Sequence, residues 1–445
     1  MSFTRRQFLQ ASLGASALVS LGPTVPSFVD RTAQAAGPPK DAGQTILVVL
    51  QLAGGNDGLN TVVPYEDDLY AKARPTLRLP AAGLHKIEPQ LGFHPELSGF
   101  YRLYREGLLS VVEGVGYPNP HGGHFESMHC WQSACLPGSP APTGWIGRTV
   151  DRLVRPDEAR TPAVYVGHIA RPFTLNARRA IIPSLGTLDD WTQRFPAGQA
   201  DRRRLAQAAQ PAGAPSDNPL ADFLHRSTLA ACASQREIEA AARPESKPAP
   251  YPRFQFAGQL QLIARLIRTE LGIRIYYTEL GGQEPGGFDT HAGQAANHSA
   301  LLRQLSDSVT AFVDDLRRDK LIDRVLLMTF SEFGRTIREN GRRGTDHGSS
   351  QPIFLAGGRV RGGLIGRQPP LDNPEGGGQR HHTDFRRLYA TLLDRWLGIP
   401  SQPILGAKHP PLDLLLGKLP ERLGGLRSDD PLPWAVARGR GEPAR

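Results

Sequence analysis

Thr45-Ile46-Leu47-Val48-Val49-Leu50-Gln51-Leu52 is an almost unbroken apolar run with a glycine close on either side. A strand with one wet face alternates apolar and polar residues. A run this continuous fits a strand covered on both faces, as in a parallel sheet between two layers of helices. Similar runs stand at Leu108–Val112, Ala163–Val166, Ile273–Tyr277, Arg324–Phe330 and Pro352–Ala356. Helical patterns lie between them. The clearest is Ala300 to Arg318, where Leu301, Leu302, Leu305, Val309, Phe312, Val313 and Leu316 recur at spacings of three and four. Others cover Gln255–Thr269 and Phe385–Leu397. Strands alternating with helices predict an α/β fold with a mainly parallel central sheet and helices on both faces.

The flanking segments read differently. Thr4-Arg5-Arg6-Gln7-Phe8-Leu9 has the form of a twin-arginine export signal. A mildly apolar stretch from Phe8 to Val19 and a small-x-small site at Ala33-Gln34-Ala35 follow in order. They predict a signal peptide over 1–35, recognition by the twin-arginine export machinery, and a periplasmic or secreted protein. The apolar stretch is short, Pro23 and Pro26 prevent its extension, and it falls short of the roughly 20 residues a span needs, so no stable membrane anchor is expected. The α/β domain is placed at 36–424, with a helical Ala/Pro-rich insertion at about 196–250 and a loose Pro/Gly/Arg-rich tail over 425–445. A net charge of +9 biases the surface towards anionic substrates. The basic residues are scattered, without the stripe and interleaved aromatics that a nucleic-acid partner would require. Three cysteines, with no haem or iron–sulfur spacing and no dinucleotide fingerprint, argue against a redox role.

Chemistry in an open α/β sheet gathers beyond the carboxyl ends of its strands. After the first strand comes Ala53-Gly54-Gly55-Asn56-Asp57-Gly58, which either presents Asp57 at the sheet edge or simply turns the chain. After the Ile273 strand comes Gly286-Gly287-Phe288-Asp289-Thr290-His291. Asp289 and His291, two apart, share a face of an extended segment and form half of a divalent-metal site; alternatively Asp289 or Thr290 caps a helix. His298 is a reserve ligand. Glu332 ends an apolar strand, where a metal or Arg335 can satisfy its charge. Asp346 and His347 stand between glycines and can enter one pocket. The stretch Asn119–Trp131 holds His121, His124 and His129 with Glu126, Ser127 and Cys130. Ser127, near a helix start, is the candidate nucleophile. Cys130 is a small buried hydrophobe or a partner for Cys135. Together these residues suit a two-metal site for displacement at phosphorus or sulfur.

The segments 52–65, 114–120, 144–148, 286–291, 330–335, 344–348 and 383–391 resemble the exported domain-of-unknown-function 1501 family over almost the whole mature chain. That resemblance implies an alkaline-phosphatase-like fold, related to the alkaline phosphatase and sulfatase superfamily. It implies that Asp57 is the first metal aspartate, Asp289 and His291 the later metal pair, and His347, with Asp346 beside it, the late metal histidine. Glu332-Phe333 stands where the superfamily carries Asp-His, and Gly122-Gly123 where the resemblance places a serine. The implied activity is an exported, metal-dependent hydrolysis of phosphate or sulfate esters, with an anionic ester or glycan as partner. Mixed histidine and carboxylate ligands do not choose among Zn, Mn, Mg and Ca. The alternative is a non-catalytic exported binding protein on the same fold with a degenerate metal site.

Overall fold

The computed structural model describes residues 44–139, 141–154, 162–168, 170–186, 249–270, 272–281 and 287–417. The signal segment 1–35, nearly all of the insertion at 196–250 and the tail 425–445 lie outside the described residues. In chain order the strands that matter to the site are β1 (Ile46–Ala53), β2 (Leu109–Gly116), β3 (Ala163–Val166), β4 (Ser184–Leu185), β5 (Ile275–Gly281) and β6 (Val325–Phe330). The hairpin β7 (Arg335–Glu339) and β8 (Thr345–His347) follows, then β9 (Gln351–Gly357), β10 (Gly363–Ile365) and β11 (Thr383–Asp384). All but β7 and β8 form one nine-stranded sheet in the order β10-β2-β9-β6-β1-β5-β3-β4, with β11 beside β2. Only β9 runs against its neighbours in this sheet. The fold is α/β with a mainly parallel sheet, as the apolar runs require.

β1 sits near the middle of the sheet, with Val48 level with Tyr276 on β5 and Leu327 on β6. Every residue of β1 is buried, which explains its unbroken apolar run. Val48 and Leu50 belong to the core formed with helices α1 (Ser98–Arg105), α4 (Gln255–Arg268) and α5 (Gln294–Arg318). Leu47 and Val49 belong to the opposite core, with α2 (His124–Ser133), α3 (Trp145–Leu153) and α6 (Phe385–Ala390). Helix α6 continues directly into a wider π-type stretch, Thr391–Leu397. Helix α5 begins six residues before the apolar pattern predicts. Its first turns bury Gln294 and His298, polar side chains that leave no apolar periodicity. No helix among the described residues is long and apolar enough to cross a membrane.

The amino end of β1 is tied to the helix layer by specific bonds as well as by burial. The Trp396 side chain is fully enclosed, its indole N–H donates to the Ile46 carbonyl at 2.9 Å, and its own carbonyl accepts from the Thr45 hydroxyl. Trp396→Ala removes that bond and leaves a large cavity, with an expected loss of about 3–5 kcal/mol. Urea unfolding checks this, and a loss below about 1 kcal/mol would contradict the packing described.

Candidate metal centre

The parallel strands deliver their loops to one edge, and Gly54 shows how closely these loops approach. A Cβ on Gly54, at φ +114°, would lie 2.4 Å from the backbone nitrogen of Asp289. Without it, the turn after β1 rests against the loop after β5. Gly54 N–H then donates to both oxygens of Glu332, at 2.9 and 3.1 Å, just beyond β6. Helix α2 starts beside them with His124 as its first residue, and the β7–β8 hairpin folds over with Asp346 and His347.

Three imidazoles converge on the Asp289 carboxylate. His291 Nε2 lies 3.0 Å and His347 Nε2 3.2 Å from Asp289 Oδ1, while His124 Nε2 is 3.3 Å from Oδ2. His124, Asp289 and His347 each offer a ligand atom within 4.8 Å of the others. The far nitrogen of each ring faces an oxygen acceptor. His124 Nδ1 is 2.9 Å from Glu332 Oε1, His291 Nδ1 3.0 Å from Asp346 Oδ1, and His347 Nδ1 2.6 Å from the Gly122 carbonyl. A carbonyl or carboxylate can only accept, so each Nδ1 carries the hydrogen and a neutral ring turns its Nε2 lone pair inward. The Nε2 atoms of His291 and His347 are 2.9 Å apart. Two lone pairs at that distance repel unless a proton or cation lies between them. Ligand atoms about 2.0–2.1 Å from one ion sit about 3 Å or slightly more from each other, so this donor set fits a divalent metal. Anchoring of the outer ring nitrogen is also the usual support of metal-bound histidine.

Electrostatics hold Asp289 ionised. Burial pushes its carboxyl up, but the hydrogen bond and charge of Arg335, with His124 and His291, outweigh this and hold it at about 2. The Arg335 side chain is wholly enclosed and donates to Asp289 Oδ1 at 2.6 Å. Its Nε and Nη1 donate to the carbonyls of Gly55 and Thr345, and Nη2, which bonds Asp289, also reaches those of Gly54 and Phe288. The hydrogen bond to Glu332 raises the His124 pKa, against the downward push of burial. Desolvation instead lowers that of His347. Phe333 stacks on His347 with ring centroids 4.3 Å apart and closes one side of the cluster.

The model of the family described as "Protein of unknown function (DUF1501)" matches residues 111–405, which contain the whole cluster. The chain belongs to the DUF1501 family. No curated protein matches the sequence. Among solved structures it is similar to the sulfatase PsFucS1 from Pseudoalteromonas sp., at 10% identity over 92% of this chain and 77% of that one, with a TM-score of 0.37. It is also similar to the C-terminal periplasmic domain of EcEptC from Escherichia coli in complex with Zn, at 9% identity over 72% and 74%, TM-score 0.34. A third is a TAB5 alkaline phosphatase variant with Mg bound, at 11% identity over 71% and 92%, TM-score 0.34.

Of the residues singled out in the sequence, the structure brings Asp289, His291, Glu332, Asp346 and His347 together. Glu332 and Asp346 lie outside the ring of inward-facing atoms and orient His124 and His291. His124 enters the cluster although the sequence does not separate it from His121 and His129; only its place as the first residue of α2 does so.

Two expectations differ from the structure. Asp57 stays apart: both its oxygens are taken by Arg74, and Gln294 donates to one of them. Burial raises its carboxyl pKa, but Arg74 more than compensates and holds it below the ordinary range. Ser127 stands one turn inside α2, not at its start. Its N–H bonds the Gly123 carbonyl, and its buried hydroxyl donates to the His121 carbonyl at 2.5 Å. Of the reserve residues, His298 is buried beside Asn56, 3.2 Å from its Oδ1, and burial lowers its pKa to about 3. Cys130 and Cys135 are free thiols.

Arg74→Met would strand the Asp57 carboxylate in the interior, at an expected cost of about 3–5 kcal/mol at pH 7. The depressed Asp57 pKa contributes stability above the ordinary carboxyl value of 3.8, and this is lost as pH falls through the lower native value. Without Arg74 the enclosed carboxyl takes up a proton in the folded state as pH falls, so the deficit of the variant should narrow between pH 7 and about pH 3.5, as urea unfolding at both values will show.

Proposed function

We propose that this protein is an exported, metal-dependent hydrolase of phosphate or sulfate esters. One observation carries the metal: three imidazoles with anchored Nδ1 atoms aim Nε2 at a single ionised carboxylate. The resemblance of the sequence motifs to the alkaline phosphatase and sulfatase superfamily supports the ester class. The amino-terminal motif supports export by the twin-arginine route, with the domain occupying 36–424 around its insertion.

His124, Asp289, His291 and His347 would hold the ion. Three imidazoles and one carboxylate suit zinc better than Mg or Ca, which prefer all-oxygen sets. Such an ion offsets charge on the ester oxygens and makes water a competent nucleophile near neutral pH. The protein's own part is positioning. Glu332, Asp346 and the Gly122 carbonyl fix the three rings, and Arg335 keeps Asp289 ionised and oriented. Asp57 is engaged by Arg74, so the reading narrows from two metals to one ion site. The enclosed hydroxyl of Ser127 leaves water as the nucleophile.

That same enclosed hydroxyl favours a second reading, a non-catalytic exported protein that binds a glycan through this edge. A protein that carries metal but turns over neither phosphate nor sulfate esters would decide for it.

Elemental analysis of protein purified without chelator should find about one equivalent of divalent metal, lost in the Asp289→Ala/His291→Ala double variant. Asp346→Ala, at an exposed position, should weaken metal affinity about 10–100-fold by freeing the His291 ring. A folded protein that takes up no metal on titration would end the hydrolase reading.

A further inference from the structure

The β7–β8 hairpin ends beside the cluster in the turn Asn340-Gly341-Arg342-Arg343-Gly344. Asn340 holds this turn from within. Its Oδ1 accepts from the N–H groups of Arg342 at 2.9 Å and Gly344 at 3.1 Å. Its amide nitrogen donates to the His291 carbonyl and to Asp346 Oδ1, both at 3.0 Å. The carbonyls of Arg342 and Arg343 accept from Gly293 and Gln294 N–H, at 3.0 and 2.9 Å, where α5 begins. The turn is thus bonded to the segment that carries Asp289 and His291.

Arg343 sits at φ +57°, a left-handed conformation that long side chains adopt only where the surroundings impose it. Gly344 has no room for a side chain, since a Cβ there would lie 2.2 Å from the His291 backbone. The backbone of both arginines is therefore fixed. Their residues are exposed, and neither makes an ion pair among the described residues. The turn that carries both arginines is held to the cluster by Asn340, which bonds the His291 carbonyl and the Asp346 carboxylate. A fixed backbone removes the main-chain part of the ordering cost, and the planar fork of each guanidinium matches two oxygens of a sulfate or phosphate group.

We propose that Arg342 and Arg343 form a rim that binds an anionic group of the substrate next to the one cleaved. The substrate class is then a polyanionic ester, carrying two or more sulfate or phosphate groups on one molecule. This deepens the hydrolase reading and rests on it for the cleavage step alone. The binding step does not need turnover.

The test compares full-length protein with its Arg342→Gln/Arg343→Asn variant, asparagine being tolerant of the left-handed backbone. Calorimetry measures binding of a sulfated oligosaccharide and, in a second arm, of a phosphorylated oligosaccharide of the same length. The variant should bind at least one of them about tenfold more weakly and with a shallower salt dependence. Its metal content and its affinity for a monosulfated or monophosphorylated ester should be unchanged. The arm that weakens names the acid group. Equal affinity of variant and wild type in both arms, or no binding of either probe by wild type, overturns the proposal. Arg342→Gln alone, which leaves the strained position intact, serves if the double variant does not fold. Arginine-dependent binding without cleavage of any ester would sink the hydrolase reading and leave the rim standing.

Discussion

The guanidinium of Arg335 is shut away from solvent, and its donors are shared among the turn after β1, the loop after β5 and strand β8. A buried cation is tolerated only where its charge is matched and its hydrogens are satisfied. Asp289 supplies the charge, and four backbone carbonyls supply most of the acceptors. The same contact decides how Asp289 faces the histidines, because Oδ1 is fixed by Arg335 while Oδ2 is left towards His124. The loops of three chain segments are thus registered by the group that orients the central carboxylate. A hydrophobic edge of the same shape would hold the loops together but would leave that carboxylate without a defined direction.

A second buried pair extends this frame. Arg74 engages Asp57 and also donates to the carbonyls of Thr336 and Ile337 on β7. Gln294 donates to Asp57 and accepts from the Thr345 hydroxyl at 2.6 Å, and the Thr345 carbonyl in turn accepts from Arg335. The chain of bonds runs from the turn after β1, through the first residue of α5, to the hairpin that carries Asp346 and His347. Each member is buried and has a partner, which is the condition under which a polar interior specifies one arrangement instead of several. Asp57 therefore ties together, through Arg74 and Gln294, the elements that surround the histidine cluster.

The fold was legible because a strand buried on both faces leaves an unmistakable pattern. β3 lies where Ala163–Val166 predicts, and β1 and β6 begin within one residue of their apolar runs. The start of α5 was not legible, because Gln294 and His298 are buried for their hydrogen bonds and leave no apolar period. The strand-end rule drew attention to Asp289, His291, Glu332, Asp346 and His347, since loops after parallel strands meet at one edge. The same rule cannot tell a ligand from a residue that orients a ligand. That distinction depends on which ring nitrogen faces inward, and Glu332 and Asp346 became clear only once the partners of His124 and His291 were visible. His124 was one histidine of three in a short stretch, and only the first turn of α2 selects it. For Ser127 and Asp57 the sequence showed the residue but not its partner, which is the His121 carbonyl for one and the Arg74 guanidinium for the other.

The three ring anchors come from different parts of the chain, and each is itself fixed. Glu332 is held by Gly54 N–H and by the Ser331 hydroxyl at 2.9 Å, Asp346 by Asn340, and the Gly122 carbonyl lies in the loop that leads into α2. The imidazoles are therefore oriented independently of one another. Preorganisation of this kind removes much of the entropic cost of assembling ligands and places the loss, if one anchor is removed, on a single ring. It also means that the two sides of the cluster differ. His347 is boxed in by Phe333, whereas His291 leans on Asp346 and Asn340 in a turn whose arginines face solvent. On the hairpin side the backbone under Arg342 and Arg343 is tied to the start of α5, next to His291, so the fold sets where these two exposed residues stand relative to the cluster.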